Sequence, residues 1–174
     1  MSPTVRRAAL HDALRLSEFA ARTFRDAFEA DNRPEDVAAH LVATFTPERQ
    51  AAELSDPAWT TLLMEEGADP IGYAQLQRGP APACVTGSTP IELVRFYVDR
   101  RWHGRGNAQT LMAAVMAAAA AEGETLWLGV WERNARATAF YRKSGFVDVG
   151  GKTFRLGSDP QADRVMARAV REPS

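Results

Sequence analysis

The segment Glu92-Leu-Val-Arg-Phe-Tyr-Val98, followed by Asp99-Arg-Arg-Trp-His-Gly-Arg-Gly-Asn107 and then an alanine-rich apolar run, decides how the rest of the chain is read. Ile91 to Val98 is a β-branched and aromatic stretch of strand type. Asn107 to Ala121 reads as an apolar helix. A strand that feeds a glycine loop at a helix N-terminus makes an anion site, because the first helical N–H groups lack partners and the helix dipole favours negative charge. Gly104 and Gly106 allow backbone to come close to a phosphate, and Arg101 and Arg105 add positive charge beside it. Two familiar phosphate loops do not fit. A P-loop requires Gly-Lys-Ser/Thr, which is absent, and the dinucleotide fingerprint requires Gly or Ala where this chain has Gln109.

Upstream, Val5 to Ala8 reads as a short strand and His11 to Ala30 as a helix carrying Leu14, Phe19, Phe24 and Phe28. Pro34 is placed to open a second helix with Val37, Leu41, Val42 and Phe45 on one face. A third short helix starts at Thr46-Pro47-Glu48 and runs towards Leu54. Trp59–Glu65 and Pro70–Gln77, joined by Glu66 to Asp69, read as a hairpin, and 79–90 as a loop. Downstream come a strand at Leu126–Trp131, a helix at Asn134–Ser144, and closing strands at Phe146–Val149 and Arg164–Ala169. The order predicts a mixed α/β layer, antiparallel in its first part and with parallel crossovers later.

Composition narrows the class. The chain has 174 residues, the size of one domain, so residues 1–174 are expected to form a single unit. Hydrophobic residues are 45% and charged residues 25%, which excludes a disordered chain. The net charge of −1 speaks against a nucleic-acid partner. That charge conceals a split: residues 1–90 hold 13 acidic and 8 basic side chains, whereas residues 91–174 hold 9 and 13. Such asymmetry hints at two ligands of opposite sign. Cys84 is the one cysteine, so there is neither an intramolecular disulfide nor a thiolate cluster. His11, His40 and His103 have no ligand spacing, and no metal is expected. The longest apolar run, Leu111 to Ala121, is 11 residues, far short of the ~20 that cross a bilayer. The N-terminus has no apolar stretch of signal-peptide length, so no membrane partner and a cytoplasmic location are expected.

A second motif sharpens the reading. Arg101-x-x-Gly104-x-Gly106-x-Ala108 is followed, after one helix and one strand, by Asn134-x-x-Ala137-x-x-Phe140-Tyr141-x-x-x-Gly145-Phe146. Together the two resemble the acetyl-CoA loop and the second signature of the GCN5-related N-acetyltransferases (GNAT). The resemblance covers about residues 91–149. It implies a GNAT fold, with a mixed, mostly antiparallel central sheet of about six to seven strands flanked by about four helices. It also implies acetyl-CoA as co-substrate. By that resemblance Arg101, His103, Gly104, Arg105, Gly106, Asn107 and Ala108 serve the CoA pyrophosphate and adjoining pantetheine. Phe96 and Val98 offer backbone groups to the acetyl and pantetheine arm, Asn134 contacts pantetheine, and Lys143 lies near the nucleotide. Tyr141 is the general acid beside the thioester sulfur.

The chemistry needs these residue types. An alkyl ammonium has a pKa near 10.4, so a base must take its proton at neutral pH. Glu92, on the strand leading to the loop, is the candidate, acting directly or through water, with pairing to Arg95 as its rival role. The Val98 N–H is positioned to polarise the thioester carbonyl, and a Tyr141 phenol can protonate the thiolate. Asn134 is also a natural helix cap. Trp127 and Trp131 read as core or pocket wall. Residues Thr23 to Asp36, rich in Asp26, Glu29, Asp31, Glu35 and Asp36, loosely resemble the acceptor wall of bacterial polyamine acetyltransferases, which implies a small cationic amine as partner. A solvated acidic helix face is the plainer account of those charges. The rival functions are an acyl-CoA-binding sensor without catalysis and a protein or peptide N-acetyltransferase. A homodimer is among the assemblies the reading allows.

Overall fold

A computed structural model describes residues 2–171. The elements follow in the order β1 (Thr4–Arg7), α1 (Ala13–Phe28), α2 (Pro34–Thr44), α3 (Pro47–Ser55), β2 (Trp59–Glu66), β3 (Asp69–Arg78), β4 (Pro90–Val98), α4 (Asn107–Glu122), β5 (Thr125–Trp131), α5 (Ala135–Lys143), β6 (Val147–Leu156) and β7 (Asp159–Ala169). The seven strands form one sheet in the order β1-β2-β3-β4-β5-β7-β6. This is the mixed α/β layer expected, with five helices where about four were foreseen. Among the described residues only β4 and β5 pair in parallel, so there is a single parallel junction where parallel crossovers were expected.

Alternation along the strands divides the core between the two sheet faces. Leu62, Met64, Leu93 and Leu128 pack with Leu111, Val115 and Ala119 of α4 on one face. Leu63 and Tyr73 pack with Leu16, Phe19 and Phe24 of α1 and Val37 of α2 on the other. The buried positions of α1 recur at helical spacing, as one buried stripe requires. Pro34 and Pro47 sit in the first turns of α2 and α3, and the Thr46 hydroxyl caps Arg49 N–H at 3.2 Å. Arg6 ties β1 to α1 and β2: its guanidinium donates to both oxygens of fully buried Asp12 at 2.8 Å and to Glu65 at 2.7 Å. The arginine holds the Asp12 carboxyl well below the usual carboxylate range.

Several sequence expectations need correction. Leu14 and Val42, placed by spacing on buried faces, are 59% and 74% exposed. Each lies off the stripe that its helix buries, which runs through Leu16, Phe19, Ala20 and Thr23 in α1 and through Asp36 and Val37 in α2. The closing strands are longer than predicted and form a hairpin. The Gly-Gly-Lys-Thr stretch of β6 has little apolar character, and an edge strand with one wet face needs none.

Candidate active site

β4 and β5 are hydrogen-bonded only at Pro90, Glu92 and the residue between them, ending at the Glu92–Trp127 pair. Beyond it the strands part, and a cleft of about 630 Å³ opens between Leu93–Val98 and Gly129–Trp131. The ladder on the far side of β4 fixes what the cleft meets. Asp99 N–H donates to Ile71 C=O at 2.8 Å, flanking the Gly72–Val98 pair, so that pair is of the non-hydrogen-bonded kind. Val98, and two residues back Phe96, therefore turn their N–H and C=O away from β3 and into the gap. The Val98 carbonyl there contacts His103 Nε2 at 2.8 Å. A one-residue slip in the β3–β4 register at Gln75/Leu76 leaves Val94 as the extra residue, so inward and outward faces exchange midway along β4.

The loop after β4 is pinned by Asp99. Its buried carboxylate accepts from the Arg101 backbone N–H at 2.9 Å and from the Arg22 and Arg101 guanidiniums at 2.8 Å each. Gly104 and Gly106 have φ of +74° and +80°, a region L side chains rarely adopt. A β-carbon on either would meet nothing within 4 Å, so the space above this turn is open. The Asn107 carboxamide donates to Trp102 C=O at 3.0 Å and holds the start of α4, whose first N–H groups face the turn. An open, anion-favouring turn beside free strand amides fits a pyrophosphate with an extended amide-bearing arm. That is the shape of CoA.

Of the residues named from sequence, Phe96, Val98, His103, Gly104, Gly106, Ala108, Asn134 and Tyr141 line this cleft. The others stand off its wall. The Arg101 charge is engaged by Asp99. Arg105 lies over the Trp102 ring at 5.1 Å, Asn107 is buried in its loop bond, and Lys143 is exposed. Glu92 bonds Lys152 Nζ at 3.4 Å, whereas Arg95, its expected rival partner, goes to Glu53 at 2.6 Å. Sequence reading passed over Arg100, Gln109, Arg136 and Gly129 in the lining, whereas Phe28 falls within residues 23–36, read as acceptor wall. Only Gly129 carried a signal: a lone glycine inside a strand marks a close approach.

Tyr141 packs its ring edge-on to Phe96, Phe140 and Phe146. Burial pushes its phenol above the ordinary value, so it is protonated and able to donate at neutral pH. Asn134 accepts from Ala137 N–H at 3.1 Å, which commits its oxygen to capping α5 and leaves its nitrogen for the cleft. Across the cleft, Phe28, Tyr97 and Trp131 form an aromatic wall, with ring centroids 6.3 to 6.5 Å apart. Of the five acidic residues at the ends of α1 and α2, Asp26 alone lines the cleft. Asp36 instead accepts from the N–H and hydroxyl of Ser158 at 2.8 Å each, and Asn32 accepts from Gln161 at 2.6 Å. These bonds clasp the β6–β7 turn over α2. Among the described residues there is no group of metal-ligating side chains and no helix long and apolar enough to cross a membrane.

Comparison with known proteins places the geometry. The acetyltransferase (GNAT) family matches residues 18–146. An uncharacterized N-acetyltransferase of Mycobacterium tuberculosis is 39% identical over 160 residues, covering 91% of this chain and 98% of that protein. Among solved structures, the PaiA N-acetyltransferase of Thermoplasma acidophilum in complex with coenzyme A superposes with a TM-score of 0.74. It is 19% identical, over 97% of this chain and 99% of that one. A GNAT acetyltransferase of Streptococcus pneumoniae gives a TM-score of 0.72 at 21% identity, over 98% and 100%.

Proposed function

The chain belongs to the GNAT acetyltransferase family and is an acyltransferase, and from that premise we propose that it moves the acetyl group of acetyl-CoA directly to the primary amine of a small acceptor. The observation that carries this reading is the parting of β4 from β5, which leaves the Phe96 and Val98 backbone groups beside an open glycine turn at the α4 N-terminus.

Bound there, acetyl-CoA supplies an activated acetyl group as a thioester. The turn at Gly104 and Gly106 and the first N–H groups of α4 hold its phosphates. Arg100 and Arg136, exposed on the cleft wall, add positive charge, and Phe96 and Val98 bond the amide-bearing arm. The Val98 N–H stabilises charge developing on the acetyl oxygen. Tyr141 gives its proton to the sulfur as the C–S bond breaks and regains one from the new amide nitrogen.

The acceptor enters from the opposite side, past Phe28, Tyr97 and Trp131. The aromatic wall of Phe28, Tyr97 and Trp131 on that side supports a small amine over a polypeptide. A polyamine is the finer reading within this class, supported by Asp26 alone. The test is amine-dependent CoA release, followed with a thiol reagent over polyamines, amino acids, aminoglycosides and short peptides. Release well above hydrolysis with a small amine is expected. Acetyl-CoA binding without release to any acceptor would establish the sensor instead.

A further inference from the structure

Asp163 of β7 is only 8% exposed, yet its carboxylate makes no hydrogen bond or ion pair to the described residues. Asp12, Asp36 and Asp99 are equally buried, and each holds two or more donors. Its oxygens are not among the sealed, unpartnered atoms of the described residues, so the carboxylate keeps a solvent-accessible side on which it is free to take a partner.

Its surroundings say where that partner stands. Asp163 is paired with Trp131 of β5 on one side and Lys152 of β6 on the other. Trp131 and Gly129 both line the cleft, and Asp163 reaches diagonally over Gly129. A β-carbon there would sit 3.0 Å from Asp163 Oδ2 and 2.5 Å from Lys152 Cε, so only glycine lets these groups lie against the strand. The carboxylate thus lies against the bare Gly129 backbone, next to the cleft without being part of its lining, just where β5 has parted from β4. Lys152 Nζ lies over the Trp127 ring at 5.0 Å and bonds Glu92 at 3.4 Å.

Resting on the transferase reading above, we propose that Asp163 is the general base: its carboxylate takes a proton from the acceptor ammonium through the gap beside Gly129. Lys152, tied to Glu92, positions it. The ammonium gives one proton to Asp163, leaving a neutral amine whose lone pair forms the new C–N bond as the C–S bond breaks. The amide nitrogen loses a second proton to Tyr141, which has protonated the sulfur, and Asp163 returns its own to solvent. One proton is released per turnover. Glu92, the base expected from sequence, becomes a positioning residue one step removed.

The electrostatics agree. Burial lifts the Asp163 carboxyl to about 6 against the opposing pull of Lys152. It is then ionised at pH 7 and a stronger proton acceptor than an ordinary carboxylate. The titratable groups facing it are Lys152 from β6 and Tyr97 from β4, with Glu92 behind Lys152. Asp26 of α1 shares the cleft but lies beside Arg22, at 4.0 Å.

The test compares wild type, Asp163→Asn, Asp163→Glu and Lys152→Met over pH 5–9, using the best amine of the panel, with acetyl-CoA affinity by calorimetry alongside. Asp163→Asn is expected to lower kcat by about 100-fold and erase the acid limb of the profile, with acetyl-CoA affinity unchanged. Asp163→Glu should recover part of kcat. Lys152→Met should move the limb to higher pH, because it removes the cation that keeps Asp163 acidic. Carboxyl NMR of Asp163 in the free protein reads the same titration without substrate. Wild-type kcat in Asp163→Asn overturns the base assignment and leaves the transferase intact. A raised KM with unchanged kcat also overturns it, by making Asp163 an anchor for the ammonium. Absence of amine-dependent CoA release in wild type, with acetyl-CoA still bound, overturns the transferase reading and the base with it.

Discussion

The two walls of the cleft are built on opposite plans. The cofactor wall comes from two contiguous segments, residues 93–109 and 134–141, and works largely through backbone: free strand amides, an open glycine turn and a helix N-terminus. The acceptor wall is assembled from side chains that are far apart in sequence. Phe28 of α1 meets Tyr97 of β4 and Trp131 of β5, and outside the lining Asp36 meets Ser158 across 122 positions and Asn32 meets Gln161 across 129. Backbone sites bind what is constant, whereas side-chain sites are where specificity can vary. Damage to the first wall should therefore appear in acetyl-CoA binding and chemistry, and damage to the second in amine KM and stability.

The largest effect is expected at Tyr141, where cofactor and chemistry meet. Tyr141→Phe keeps the ring contacts but removes the donor, so kcat should fall by about 100- to 1000-fold while acetyl-CoA affinity holds. Stopped-flow and calorimetry separate the two, and an unchanged kcat would remove the acid role. Next comes Gly104→Val. No protein atom occupies the space its side chain would fill, so the damage falls on the ligand and on a φ of +74°. Acetyl-CoA affinity should drop by about 100-fold or more, roughly 2.7 kcal/mol. Normal affinity by calorimetry would move the phosphate site away from this turn.

The same contrast explains what the sequence made legible. The strand, turn and helix around residues 91–121 follow from local propensity and glycine placement, and the two signatures fall on the cofactor wall. The acceptor wall has no local pattern. The acidic residues near α2 read as a wall for a cation, yet Asp36 faces inward to the β6–β7 turn and is spent there. The charge split between the halves survives only in part at the site, where Arg100, Arg136 and Asp26 line the cleft and the Arg100 guanidinium donates to the Asp26 carbonyl. Glu92 reads as a candidate base because it lies on the strand leading to the loop, and in the structure it bonds Lys152. The register slip at Val94 means that position along β4 does not settle which face a residue takes. Asp163 lies in a strand too polar to stand out, and only its tertiary placement, paired with Trp131 and Lys152 and diagonal to Gly129, draws notice.

Asp36→Ala probes the second wall directly. It strips two hydrogen bonds from Ser158, which is exposed so that water can replace them, and should cost about 1 kcal/mol of stability. Thermal melts should fall accordingly, and amine KM should rise as the turn loosens, with acetyl-CoA affinity untouched. A loss of acetyl-CoA affinity of similar size would show that the walls are not independent.

The smallest effect comes from two groups within the acceptor half that titrate in opposite senses. His40 stacks on Phe24 with centroids 4.5 Å apart, and burial lowers its pKa from 6.5 to about 4. The folded state therefore prefers neutral His40. Its contribution is full above pH 6.5 and is lost as pH falls through 6.5 towards 4, where the unfolded chain takes up a proton first. Asp163 runs the other way: raised from 3.8 to about 6, it opposes folding above pH 6, and that opposition fades as pH falls from 6 towards 4. Wild type should show a shallow slope over this window, because the two terms partly cancel. His40→Phe keeps a stacking ring and should uncover stability that rises on acidification from pH 6 to 4. Asp163→Asn should uncover the fall. Urea midpoints for each variant across pH 4–7 should diverge from wild type by on the order of 1 kcal/mol in opposite directions. Asp12 and Asp99, both held well below the usual carboxylate range by arginines, lose their contribution as pH falls through the unfolded carboxylate range, so they touch only the acid end of this window and do so alike in wild type and both variants. Parallel curves for the two variants would mean that neither group carries its shift into the folding equilibrium, and the acceptor wall would then be as electrostatically quiet as the turn that faces it.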